Sequence, residues 1–237
     1  MKVLVVGASR GTGAELVGEL VGRGHLVTAY SRHGGADDDQ VRQVTADVLD
    51  REALGKAMIG QDAVVVTLGI PENPFRVRLT RRASSPLDVR SRGTRFVVEA
   101  MRDHGVRRLV VQSTYGIGDT YRQLPFALKA FFTLGIRPQV DDHERQERLV
   151  RESGLDWTIV RPTVLHGDPT AEPAYVGTDD RAPTMRVSRL QVARVEADAL
   201  EREELAGRVL TVTERGRPRD NAPWATLRSR RPGARSR

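Results

Sequence analysis

Three glycines and two arginines near the start of the chain are spaced to hold an anion. The run Met1-Lys-Val-Leu-Val-Val-Gly-Ala-Ser-Arg-Gly-Thr-Gly brings Gly7, Gly11 and Gly13 into one turn with Ser9, Arg10 and Thr12. Val3 to Val6 is an apolar run too short for a helix, Leu16, Val17, Leu20 and Val21 then recur at helical spacing, and His25 to Arg32 reads as a second strand. Strand, glycine turn, helix and strand make the opening βαβ unit of a dinucleotide-binding domain. Each glycine has a task in such a turn. Gly7 permits the tight bend, Gly11 lets backbone amides approach a pyrophosphate, and Gly13 lets the helix lie close to its strand. The anion is expected on the free amides and positive dipole end of the helix that begins near Thr12.

The two arginines narrow the cofactor. Arg10 lies inside the turn and Arg32 just past the second strand, where a protein selecting NAD usually carries an acid for the ribose 2′-hydroxyl. Arginine is abundant here, since only Lys2, Lys56 and Lys129 interrupt the arginines among 38 basic residues. Even so, no acid lies between Thr28 and Gly35, and two guanidinium groups can grip a 2′-phosphate with charge-assisted bonds. The expected cofactor is NADPH or NADP rather than NADH.

These residues need a scaffold, and the rest of the chain alternates strand and helix as a doubly wound parallel sheet requires. A third strand is expected over 41–45, a helix capped by Asp50 and running to about Gly60, and a fourth strand from Ala63 to Leu68 that is apolar throughout and so buried on both faces. Helices over 93–104, 141–153 and 188–202 and strands at 109–112, 157–160 and 208–213 complete the pattern. The expected architecture is α/β, a single Rossmann-type sheet with helices on both faces, over residues 1–214. A substrate pocket is expected from residues 70–92, 115–140 and 163–188, because ligands sit beyond the C-terminal ends of the strands. The segment 116–138 has little sheet character and holds three of the five phenylalanines, which suits a pocket wall for a hydrophobic or aromatic substrate.

Composition excludes several classes. With 237 residues, 39% of them apolar, the chain can bury one sizeable core. Without cysteine there is no disulfide, thiolate metal site or Cys nucleophile, and no His/Asp/Glu grouping has metal-ligand spacing, His25 and His166 reading as structural. No apolar run approaches a membrane span, and the first residues read as a core strand rather than a signal peptide, so the expected location is cytoplasmic. The net charge of +7 lies entirely in residues 215–237, which hold eight Arg and one Asp and read as a solvated, disordered tail. The domain itself is neutral, so no nucleic-acid or membrane partner is expected beyond a weak tail contact. The expected partner is a small-molecule substrate, with the chain a monomer or homodimer.

The spacing Gly-x-x-x-Gly-x-Gly resembles that of the short-chain dehydrogenase/reductase superfamily. The Asp47-Val48 pair, Gly93-Thr94, the run Gly105-Val-Arg-Arg-Leu-Val-Val-Gln-Ser-Thr114 and Ser153-Gly-Leu-Asp-Trp-Thr-Ile-Val-Arg-Pro162 resemble its atypical branch, which includes the NmrA-like proteins and the biliverdin reductase B type of flavin reductase. The resemblance covers nearly all of residues 1–214. It implies that Asp47 and Val48 sit by an adenine, that Thr67, Leu68 and Gly69 lie along the adenosine ribose, and that Pro162, Thr163 and Val164 pack by the nicotinamide. Simpler roles stand beside these: Asp47 as a strand-end cap, Gly69 to Pro71 as a turn, and Pro162 as a strand terminator.

The resemblance also implies a Ser at the end of the fifth strand and a Tyr-x-x-x-Lys pair on the next helix, with Tyr as the general acid. Ser113 and Thr114 fill the first role. Neither Tyr115 nor Tyr121 has a lysine four residues on, and the helix positions that normally hold Tyr and Lys fall on Gln139 and His143. His143, with Glu144 and Glu147 near enough to orient or charge it, is a candidate proton donor or ribose ligand, or a solvated surface histidine. Tyr115 completes the candidate catalytic set. Two functions follow: an NADPH-dependent oxidoreductase passing hydride to a small flavin, quinone, enone or ketone, or a nucleotide-bound redox sensor of the NmrA type. An epimerase or dehydratase ranks third, since those usually keep the Tyr/Lys pair.

Overall fold

The computed structural model describes residues 1–35, 40–69, 86–168 and 170–216. Its main sheet has eight strands in the order β3-β2-β1-β4-β5-β6-β10-β8. These are β1 (Lys2–Val6), β2 (Leu26–Ser31), β3 (Val41–Thr45), β4 (Ala63–Val66), β5 (Arg108–Gln112), β6 (Asp156–Pro162), β8 (Tyr175–Gly177) and β10 (Arg208–Thr213), all parallel except β8, which runs antiparallel to β10. The order reverses between β1 and β4, and that switch point opens a crevice at the C-terminal strand ends.

Side-chain alternation divides the core in two. Val3 and Val5 of β1, with Val65 and Val110, face α1 (Thr12–Gly22) and the chain's last long helix. Leu4 and Val6, with Val64, Val66 and Val111, face α2 (Arg51–Met58) and α3 (Val89–Asp103). Both faces of each central strand are therefore apolar, as a parallel sheet under two helical layers demands. Asp50 caps α2, its carboxylate accepting from the amides of Glu52 and Ala53.

Three elements depart from expectation. The helix α3 opens at Val89, not at 93, and Gly93 lies inside it, where a Cβ would stand 2.8 Å from Leu68 Cδ1 and 2.9 Å from Val48 Cγ1. Segment 116–138 folds as a 3-10 turn (Gly118–Gln123), a short helix α4 (Phe126–Ala130) and a π turn (Phe131–Gly135), before α5 (Arg137–Arg151) begins with Pro138 in its first turn. A two-stranded ribbon of β7 (Val164–His166) and β9 (Arg186–Ser188) leads into α6 (Arg189–Glu201), which a Ser188/Gln191 capping box starts. Residues 70–85 of the expected pocket insertion, and 217–237 of the expected tail, lie outside the described residues. No helix among the described residues is long and apolar enough to cross a membrane.

Candidate functional site

A cavity of about 750 Å³ lies over the C-terminal ends of β1, β2, β4, β5 and β6. Its first end is the glycine turn. Gly7, at φ 99°, donates its amide to Tyr30 O over 2.8 Å, and a Cβ there would stand 2.9 Å from Thr67 O. Thr67 locks the turn from the other side, its amide on Val6 O and its hydroxyl on Gly7 O. At Gly13 a Cβ would lie 2.2 Å from Gly7 O, so only glycine lets α1 approach β1 this closely. Gly11, at φ 61° and ψ −141°, begins α1 with no side-chain cap, which leaves first-turn amides for a ligand. Gly11 itself has open space apart from Arg189 Nε, 3.7 Å from where its Cβ would be.

Ser9, Arg10 and Thr12 line this end, and Arg32 and His33 line the edge past β2. Asp47, Val48, Leu68 and Gly69 follow along the wall. Tyr30 forms part of the wall beside them. Its phenol donates to Asp47 O over 2.7 Å, and burial, helped by Asp50 and Asp47, pushes its pKa up to about 12. The Asp47 carboxylate accepts the Leu49 amide, which is the strand-end cap, while its residue still lines the cavity. Uncapped helix amides, a glycine that cannot carry a side chain without striking backbone, and three guanidinium-bearing residues around one crevice fit the phosphates of a dinucleotide. Arg189 has no counterpart in the sequence argument; its place above the turn depends on the β7–β9 ribbon that delivers the start of α6.

The second end is built by β5, β6, α3 and α5. Gln112, Ser113, Thr114, Pro162 and Thr163 line it with Val89, Arg90 and His143. Among the described residues, Ser113 Oγ, Thr163 Oγ1, Gln112 Oε1, His143 Nδ1, and Arg90 Nε and Nη1 are buried without a hydrogen-bond partner. Asp142, next to His143 on α5, reaches across to cap α3, accepting the amides of Arg90 and Ser91 at 3.1 Å each. That bond fixes Arg90 beside His143. Burial first, then the charge of Arg90, hold the imidazole well below its usual 6.5, against a contact with Gln146 that acts the other way. His143 is therefore neutral at neutral pH.

Several expected site residues sit elsewhere. Glu147 does not charge His143, because its carboxylate takes a bidentate pair from Arg161 at 2.8 and 2.7 Å, both residues being buried. Tyr115 is turned out of the cavity: its amide bonds Pro162 O, and its hydroxyl donates to Asp180 O at 3.0 Å. Val164 is exposed, because strand alternation in β7 turns Leu165 inward instead. Gly13 lies behind the cavity wall rather than on it. Among the described lining residues none comes from 115–140, so that segment forms no wall here. Arg90 was missed, and no sequence signal separates it from the chain's many other arginines.

Comparisons with known proteins agree with this geometry. A family model described as NAD(P)H-binding matches residues 7–203. An uncharacterised chloroplast protein of Arabidopsis thaliana is 29% identical over 226 residues, covering 90% of this chain and 77% of that protein. A 3-diazoavenalumate denitrifying reductase from a Streptomyces species is 40% identical over 114 residues, which is 48% of this chain and 38% of that protein. A short-chain dehydrogenase/reductase of Veillonella parvula, solved in complex with NADP, superposes with a TM-score of 0.72 at 19% identity, covering 91% of this chain and 95% of that one, and so shares the fold. With the glycine turn, the switch-point cavity and a family match over most of its length, this chain belongs to the NAD(P)H-binding family of Rossmann-fold proteins.

Proposed function

We propose that this protein is an NADPH-dependent reductase that reduces a small conjugated acceptor of the flavin, quinone, enone or ketone type. One observation carries the reading: a single cavity joins the glycine turn to a cluster of buried polar groups that no other described residue satisfies, at Ser113, Thr163, His143 and Arg90. Buried polar groups are costly to leave unmade, so such a cluster has its place where a ligand completes it. Arg10 in the turn and Arg32 past β2, in a sequence with no acid between Thr28 and Gly35, favour NADPH over NADH.

When bound, NADPH supplies a hydride, and with it two electrons, to the acceptor. The chain's own residues position the partners. Ser113 and Thr114 stand at the end of β5; the Ser113 hydroxyl donates to an acceptor oxygen and polarises it, and the Thr114 hydroxyl joins it on turning from the Tyr115 carbonyl to which it donates at 3.2 Å. Neutral His143 holds a hydroxyl of ribose or acceptor and is no imidazolium acid. Tyr115 takes no part. Water delivers the proton, which suits conjugated acceptors that need less acid assistance than a plain ketone.

The test is NADPH oxidation, followed by its absorbance, over a panel of flavins, quinones, enones and ketones. The reading expects turnover with at least one conjugated acceptor, and a large loss when Ser113 and Thr114 are both replaced by Ala. A second reading has its own support: among the described residues that line the far end, no tyrosine or carboxylic acid stands with Ser113 and Thr114, which suits an NADP(H)-bound sensor. NADPH binding with no oxidation by any acceptor favours that sensor.

A further inference from the structure

Among the described residues, two buried arginines, Arg90 and Arg161, and the partly buried Arg108 differ in how they are satisfied. Arg161 is forked onto Glu147. Arg108 donates to the carbonyls of Asp156 and Ala199 and to the Thr158 hydroxyl. Arg90 is only 7% exposed and lines the cavity, yet its Nε and Nη1 have no partner. The nearby carboxylate does not serve it. Asp142 is committed to the backbone amides of Arg90 and Ser91 and to the Ser91 hydroxyl. Asp142 acts on the guanidinium only through its charge and gives Nε and Nη1 no hydrogen bond, so an anion that enters here can complete a buried cation.

The position decides whose anion this is. Arg10, Arg32 and Arg189 surround the glycine turn, where the phosphates belong. Arg90 stands at the other end, with Ser113, Thr163 and His143. We infer that Arg90 receives a carboxylate of the acceptor, so that the molecule reduced in this cavity is a small conjugated or aromatic acid rather than a neutral compound. The planar guanidinium matches a carboxylate through two parallel hydrogen bonds, and the Thr163 hydroxyl can donate a further one. The inference rests on the reading of this end of the cavity as the acceptor site.

Its test needs no turnover. Calorimetric titration of the NADP⁺-loaded protein with cinnamate and with cinnamamide compares two probes of equal size and conjugation that differ in charge. Cinnamate is expected to bind at least about tenfold more tightly. Arg90→Gln should erase that preference, Arg90→Lys should keep part of it, and the affinity for NADP⁺ should stay the same in both variants, which also reports that they fold. Equal affinities for the two probes, binding of neither, or a preference that survives in Arg90→Gln would overturn the inference. So would a fall in NADP⁺ affinity in Arg90→Gln, because the guanidinium would then serve a cofactor phosphate. Should the acceptor panel give NADPH oxidation while the two probes bind alike, the reductase reading stands and this inference alone fails; should cinnamate be preferred through Arg90 while nothing is reduced, the carboxylate site stands as a binding site and the reductase reading fails.

Discussion

The two ends of the cavity are finished to different degrees. At the glycine turn, backbone meets backbone: Gly7 bonds Tyr30, Thr67 bonds Val6 and Gly7, and a methyl group at Gly13 would strike the Gly7 carbonyl. At the far end, Ser113, Thr163, His143 and Arg90 are buried but hold atoms that no other described residue satisfies. The turn's backbone contacts close on themselves and shape it, while its uncapped first-turn amides and the Thr12 hydroxyl stay open to a ligand. A region whose polar groups stay unpaired is set for a ligand.

The sharpest contrast between closed and open contacts is Arg161 against Arg90. Removing Arg161 leaves the buried Glu147 carboxylate with only the 3.3 Å contact of the more exposed Arg151, so Arg161→Met should lower the unfolding free energy by about 3 kcal/mol, whereas Arg90→Met removes a buried charge that no carboxylate hydrogen-bonds and should cost far less. Urea unfolding of the two variants checks this, and equal losses would mean that Arg90 is satisfied within the protein.

The glycines offer a second cut. Gly13→Val must push α1 away from β1, with a loss of NADPH affinity on the order of a hundredfold and a lower melting temperature. Gly11→Ala has room and meets only Arg189, so its cost is backbone strain at positive φ, about 1–2 kcal/mol. If calorimetry ranks the two the other way, the contact at Gly7 is not what shapes the turn.

Unpaired buried groups also leave a mark on pH dependence. His143, held neutral in the fold, stabilises the protein fully above its ordinary 6.5 and loses that contribution as pH falls below it. Glu196 on α6 is fully buried, has no hydrogen-bond partner at either oxygen, and is held protonated by burial. Its contribution is complete below its ordinary 4.5 and is lost as pH rises above that value. Each tenfold change in proton affinity is worth about 1.4 kcal/mol. Thermal unfolding across pH should therefore lose its acid-side slope in His143→Gln and part of its decline toward neutral pH in Glu196→Gln; unaltered profiles would contradict the assigned protonation states.

The first end was legible from local signals; at the second, Ser113, Thr114, His143, Pro162 and Thr163 were expected, while Val89, Arg90 and Gln112 were not. An apolar run, three glycines and a helical repeat are local signals, and each maps onto β1, the turn and α1. The far end depends on distance in the chain. Arg90 and His143 lie together because Asp142 of α5 caps α3, a contact across 52 residues that no spacing announces. The three-residue strands β7, β8 and β9 are too short to show periodicity, so the ribbon that carries Arg189 over the turn was invisible, as was the outward direction of Tyr115.

The smallest expected change concerns the cofactor. Arg32→Asp should narrow or reverse a preference for NADPH over NADH, by about tenfold. Equal affinities of the two nucleotides in the unaltered protein would remove the role assigned to Arg10 and Arg32.

The central claim is that a cofactor at the closed end reduces a ligand at the open end. The most direct measurement is a single turnover with NADPH deuterated at the transferable position of its nicotinamide, using an acceptor that the panel identifies, followed by mass spectrometry of the product. The account predicts deuterium in the reduced acceptor, transferred by the unaltered protein and far more slowly by the Ser113→Ala, Thr114→Ala double variant. Deuterium that stays on the nucleotide, or transfer that does not change in the double variant, would contradict it.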